Sequence, residues 1–187
     1  MTTDEATRHP EAIQYTTMAK TLHWAVVALL VIQFALAWTM PGIHRGTQPE
    51  TLINLHLSVG ATILAIVIIR AVWRLSHSAP PPPTGLPAWQ LLASRVTHGV
   101  LYLLLIAVPV LGWLNASARG WTVTLFWIAS LPRLVAEGSP LGRLSGDIHT
   151  YASYALLGFA GLHILGALYH RFVLRDRVLE RMLPNPQ

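Results

Sequence analysis

Hydrophobic residues in this chain gather into long, nearly unbroken blocks at about 21–40, 51–75, 95–117 and 147–171. Polar positions fall mostly between them. A helix needs roughly 17–25 predominantly apolar residues to cross a bilayer, and each block meets that length. The first block is interrupted only by Gln33, and the second stays uncharged until Arg70. The pattern predicts an all-α integral membrane protein, a four-transmembrane-helix bundle formed as a single domain over residues 1–187. Ala35-Leu36-Ala37 imitates a signal-cleavage site, but the preceding leader is long and acidic at its start. The first block is therefore expected to be a retained helix.

The connections carry their own signals. "HSAPPPPTGLPAW" (77–89) predicts a stiff polyproline spacer. Pro109 lies inside the third block and is expected to kink it. Within the loop 118–146, "WTVTLFWIASLPRLV" is too short to span and contains Pro132. Two readings stay open for it: an interfacial or partly re-entrant element, or a compact loop packed on the bundle.

Composition agrees with a membrane protein. Hydrophobic residues make up 53% of the chain and charged ones only 11%, too few to cover a soluble domain of this size. The net charge of +5 comes with no basic run, so nucleic acid is set aside as a partner. The absence of cysteine excludes disulfides, iron–sulfur clusters and covalent haem attachment.

Charge also sets the expected threading. Arg8, Lys20, Arg70, Arg74, Arg95, Arg171, Arg175, Arg177 and Arg181 share one side, against Arg45, Arg119, Arg133 and Arg143 on the other. The richer side marks the cytoplasm, which predicts that both termini lie inside. Trp24, Trp38, Trp73, Trp113 and Tyr169 sit near block ends and are expected to anchor at the interface.

The candidate chemistry lies in the histidines. His149, His163 and His170 are separated by multiples of seven, so they share nearly one helix face, with about 21 Å between the first two along the axis. By depth, His56 and His149 fall in the outer half of the bundle; His23, His98, His163 and His170 fall in the inner half. An imidazole in hydrocarbon is costly and needs a partner. A single one reads as a hydrogen-bonded structural residue, but two layers of them suit iron porphyrin clamped between helices. Gly60, Gly99, Gly158, Gly161 and Gly166 recur nearby, and a helix without Cβ atoms can approach a flat ring or simply another helix. No H-E-x-x-H motif or histidine box occurs, and no acid lies within a span. These features point to two b-type haems held non-covalently. The outer pair follows from depth alone; the inner pair stays ambiguous.

The ordered motifs "TLHW", "LHLSVG", "RAVWR", "HGVLYLLL", "GDIH", "GLH", "LYHRF" and "RMLP" resemble the bacterial cytochrome b-561 family over nearly the whole chain. The resemblance implies a diheme bundle in the bacterial inner membrane that exchanges electrons with ubiquinone. It also implies His23 with His163 as inner haem-iron ligands and His56 with His149 as outer ones, the main alternative being His98 or His170 on the inner side.

The remaining inner residues, His98, His170, Arg70 and Arg74, offer donors and a proton source for a quinone pocket. For the arginines, pairing with haem propionates or lipid phosphates is an equal alternative. Some members of the family oxidise superoxide and reduce ubiquinone, and the outer arginines could steer that anion inward. The bland reading of those arginines is a solvated loop on lipid headgroups. His9, His44 and His77 are expected to be ordinary surface residues. Three functions compete: a superoxide:ubiquinone oxidoreductase, a non-enzymatic relay for a separate periplasmic or membrane partner, and, distantly, a proton-coupled transporter using histidine relays.

Overall fold

The computed structural model describes residues 14–44, 46–82 and 85–183. Arg8, His9, Arg45 and Pro184, invoked above, lie outside the described residues. Helix α1 spans Thr17–Thr39, and its first turn is capped by the Thr16 hydroxyl, which accepts from the Ala19 amide at 3.3 Å. Helix α2 spans Thr51–Ser76 and α3 spans Ala88–Ala118, running unbroken through Pro109. Helix α4 spans Leu141–Tyr169 and passes into a π-turn, His170–Leu174, that stops at left-handed Arg175. All four are long and apolar enough to cross a membrane.

Helices α3 and α4 begin before their hydrophobic blocks, at Ala88 and Leu141. Hydropathy marks only the part at hydrocarbon depth. The backbone keeps its hydrogen-bond ladder beyond it, through Ser94 and Arg95 in α3 and Arg143 and Ser145 in α4. Large aliphatic side chains face outward along the rods, with Val31, Leu103 and Leu165 each about two-thirds exposed. That outward apolar belt is what lipid contact requires and water would not tolerate.

Sequential helices pack together, α3 and α4 most extensively, while the backbones of α1 and α4 do not come into close contact. A buried cluster of Val26, Val59, Ile63 and Val67 joins α1 to α2, with Tyr102 and Leu105 of α3 packed against it. A second cluster, Ile53, Ala116, Trp121 and Val123, closes the end where α2 begins.

The two ends of the bundle differ. At one, the first and last described segments meet: the Tyr15 amide donates to the Arg181 carbonyl, and the Trp24 indole donates to that of Met182 at 2.9 Å. Arg181 also donates to the Pro81 carbonyl of the polyproline segment. At the other end, Thr124–Leu125 (β1) and Ala129–Ser130 (β2) form a short antiparallel hairpin. It is pinned to α2 by Ser58, whose hydroxyl donates to the Thr124 carbonyl and accepts from the Phe126 amide at 2.9 Å. Phe126 and Trp127 hold φ of 46° and 62° to make the turn. The hairpin packs on the end of the bundle, while its tip residues Trp127 and Ile128 stay exposed.

Candidate functional site

The intramembrane histidines stand in two layers. Nearer the hairpin, His56 of α2 faces His149 of α4, with ring centroids 6.2 Å apart and planes at 78°. Nearer the chain ends, His23 of α1 faces His163 of α4 at 6.3 Å and 80°. His98 of α3 approaches the same His163 at 5.0 Å. His170 does not join them. It sits on the π-turn, where Nδ1 meets Asp176 Oδ2 at 2.5 Å. Helices α1 and α4 thus keep their backbones apart yet direct imidazoles at each other.

Each ring of the hairpin-side layer is held by a neighbouring helix. His149 Nδ1 donates to the Val108 carbonyl at 2.8 Å, which places the proton on Nδ1 and leaves the Nε2 lone pair bare. That tautomer is the one a metal-ligating histidine adopts. The contact depends on Gly112, where a Cβ would stand 3.0 Å from His149 Cε1. A residue four positions on normally shields a helical carbonyl, and Gly112 leaves that of Val108 open. The same device recurs on α2. Gln33 of α1 donates from Nε2 to the His56 carbonyl at 3.1 Å, passing Gly60, where a Cβ would meet that nitrogen at 3.2 Å. Gln33 Nε2 also stands 3.2 Å from His56 Nε2. A cavity of about 210 Å³ opens here, lined in part by Gln33, Phe34, His56, Gly60, Pro109 and His149.

At the other layer, Arg70 donates to the Ala19 carbonyl at 2.7 Å and bears electrostatically on His23, His98 and His163. Arg74 lies over the Tyr15 ring at 5.5 Å and acts on His98. A Cβ at Gly99, Gly158, Gly161 or Gly166 would meet nothing within 4 Å. These glycines are therefore not knitting helices together.

The donor set fits iron porphyrin. Imidazoles come in facing pairs from different helices, one with its Nε2 exposed by a fixed tautomer. No group of three or more metal-ligating side chains occurs among the described residues, so a tetrahedral zinc site finds no support there.

Two of the hairpin-end arginines, Arg119 and Arg133, are engaged in holding the loop. Arg119 donates to Asn115 Oδ1 at 3.0 Å and lies over the Trp121 ring at 5.5 Å. Arg133 donates to the Gly120 carbonyl and pairs with Glu137 at 3.8 Å. Of the belt residues, Trp38 is openly exposed, whereas Trp113 bonds the Pro132 carbonyl and Trp73 stacks on His77 at 3.7 Å.

Sequence reasoning missed Gln33, Gly112 and Asp176. Gln33 carried a signal, as the one strongly polar residue besides His23 inside the first block. Asp176 carried one too, as an acid six positions after His170 in a basic tail. Gly112 carried none, because its role exists only where α3 crosses α4.

Comparison with known proteins agrees with this architecture. The sequence model of prokaryotic cytochrome b561 matches residues 14–185. Cytochrome b561 homolog 2 of Escherichia coli (strain K12) is 29% identical over 181 residues, covering 95% of this chain and 94% of its own. A protein of Yersinia pestis named "Probable superoxide oxidase CybB" is 30% identical over 173 residues, covering 92% and 97%. Cytochrome b562 of Cereibacter sphaeroides is 28% identical over 174 residues, covering 90% and 94%. Four membrane-crossing helices, two layers of facing imidazoles and a match over nearly the full length together lead to one conclusion: the chain belongs to the prokaryotic cytochrome b561 family of membrane electron-transfer proteins.

Proposed function

We propose that His56 with His149, and His23 with His163, are the axial ligands of two b-type haems, through which electrons pass between the faces of the inner membrane. Ring spacing carries the reading. An imidazole nitrogen binds a first-row metal at about 2.0 Å and lies about 1.2 Å from its ring centre, so two imidazoles on opposite sides of one iron stand about 6.4 Å apart. The two pairs stand at 6.2 and 6.3 Å. His98 and His163, at 5.0 Å, are too close to trap an iron between them, which favours His23 as the inner ligand. Each haem, when bound, supplies a reversible one-electron iron couple. The chain's own part is to fix the ligands, exclude water and set the local polarity.

Ubiquinone exchange is assigned to the inner side. His98, Arg70 and Arg74 lie beside the inner pair and offer hydrogen bonds to quinone carbonyls. His170, steadied by Asp176 at the water boundary, is the proton-carrying group. The basic residues concentrated at this end favour the cytoplasmic side for it.

For the outer face two readings remain. The name of the Yersinia relative favours superoxide as donor, giving a superoxide:ubiquinone oxidoreductase. The engagement of Arg119 and Arg133 within the loop favours a relay that takes electrons from a periplasmic or membrane partner, since neither is left to line a funnel. Stopped-flow mixing with superoxide separates them: haem reduction within the mixing experiment supports the oxidase, and its absence the relay.

Haem content tests the ligands. His56→Ala and His149→Ala should each leave one haem per chain, with the inner spectrum intact. If both variants keep two equivalents, the outer assignment is wrong.

A further inference from the structure

We propose that the hairpin is re-entrant: it is sunk beside α2 into the leaflet that holds His56 and His149, and its tip, Phe126-Trp127-Ile128, is covered by lipid acyl chains. Re-entry needs only the membrane-spanning fold and stands apart from the haem assignment. Depth is set by α2, whose uncharged stretch runs from Thr51 to Ile69. At about 1.5 Å per residue it is roughly 28 Å long, close to the thickness of the hydrocarbon core. Helix α2 thus has no length to spare and enters hydrocarbon near Thr51.

Ser58, which grips the hairpin, lies two turns further in, about 10 Å below that edge. From the α3 side, the Trp113 indole donates to the Pro132 carbonyl at 3.1 Å. Val123, leading into the hairpin, lines a small hollow together with His56, Gly112 and His149. The segment therefore sits level with the imidazoles rather than above the helix ends. Backbone at that depth has no water to bond and must find partners in the protein. Ser58 serves Thr124 and Phe126, the Ile128 amide donates to the Leu125 carbonyl, and the Leu131 amide donates to that of Val123. The side chains agree. Left-handed turn positions in water ordinarily take Gly, Asn or Asp, whereas here they are Phe126 and Trp127. Ile128 beside them is 88% exposed, and no charged residue lies between Arg119 and Arg133. Such a tip continues the outward apolar belt of Leu103 and Leu165.

The chain has no cysteine, so one introduced cysteine carries a single nitroxide label on the full-length protein in phospholipid nanodiscs. Power saturation then compares collisions with oxygen, which concentrates in hydrocarbon, and with a water-soluble nickel chelate. Leu103→Cys, on the exposed face of α3, is the lipid reference, and Ala136→Cys, exposed in the same loop as the hairpin, is the water reference. The ratio of oxygen to nickel collisions at Ile128→Cys should match that at Leu103→Cys and exceed that at Ala136→Cys several-fold. Trp127→Cys should give the same reading from the neighbouring position.

A ratio at either position equal to that of Ala136→Cys would put the tip in water and overturn the proposal. Low collision with both reagents would mean that protein covers the tip, a second copy or a partner, and overturns it equally. Neither result touches the haem reading, which haem content tests separately.

Discussion

Gly112→Ala sets helix propensity directly against the site. In the interior of a helix this change ordinarily stabilises by about 0.5–1 kcal/mol. Here the new methyl group would stand 3.0 Å from His149 Cε1 and 3.1 Å from Nδ1. Carbon atoms rest at about 3.5–4.0 Å, so the ring must retreat by roughly 0.5 Å. That stretches the 2.8 Å bond to Val108 towards the limit of a useful hydrogen bond and forfeits about 1 kcal/mol. The two effects nearly cancel in overall stability but not at the site, where the ligand loses its fixed direction. Unfolding of the purified protein should move by less than about 1 kcal/mol. Outer haem affinity should fall roughly fivefold to tenfold, since about 1.4 kcal/mol is a factor of ten. Haem titration resolved by the α-band, with the inner haem as internal control, measures this. If the variant gained the full helix increment and bound both haems as before, His149 would not be wedged between Gly112 and its ligand position.

Three further outcomes are expected. Gly142→Ala places a Cβ 2.4 Å from that of Ala118 and should destabilise the α3–α4 junction by about 1–3 kcal/mol, read as a lower unfolding midpoint in detergent. Ser58→Ala removes the hydroxyl that pins the Thr124 carbonyl and Phe126 amide, and should cost about 1–3 kcal/mol while speeding hydrogen exchange across residues 124–130. An unchanged exchange rate there would mean that the hairpin is held by other contacts. His170→Ala should retain two haems but slow quinone reduction, and loss of a haem instead would make His170 a ligand.

Much of this was legible without coordinates because a bilayer is an unforgiving solvent. Uncharged blocks of helix-spanning length leave little choice of element, and the cost of a lone imidazole in hydrocarbon makes each histidine informative. Depth along the helix, which is rise per residue, was enough to put His56 opposite His149. Depth could not choose among His23, His98, His163 and His170, because helices whose order around the bundle is unknown bring several residues to one level. The tertiary structure sorts them by distance: His170 turns away to Asp176, while His23 and His98 both face His163, at 6.3 and 5.0 Å. It also decided how the rings are held. The carbonyls of Val108 and His56 become accessible only where Gly112 and Gly60 meet a crossing helix, and no pattern along one strand of sequence encodes where two helices cross. Solvent preference acts residue by residue and is written in the chain; the angle and contact of one helix on another arise from the packing of the whole bundle.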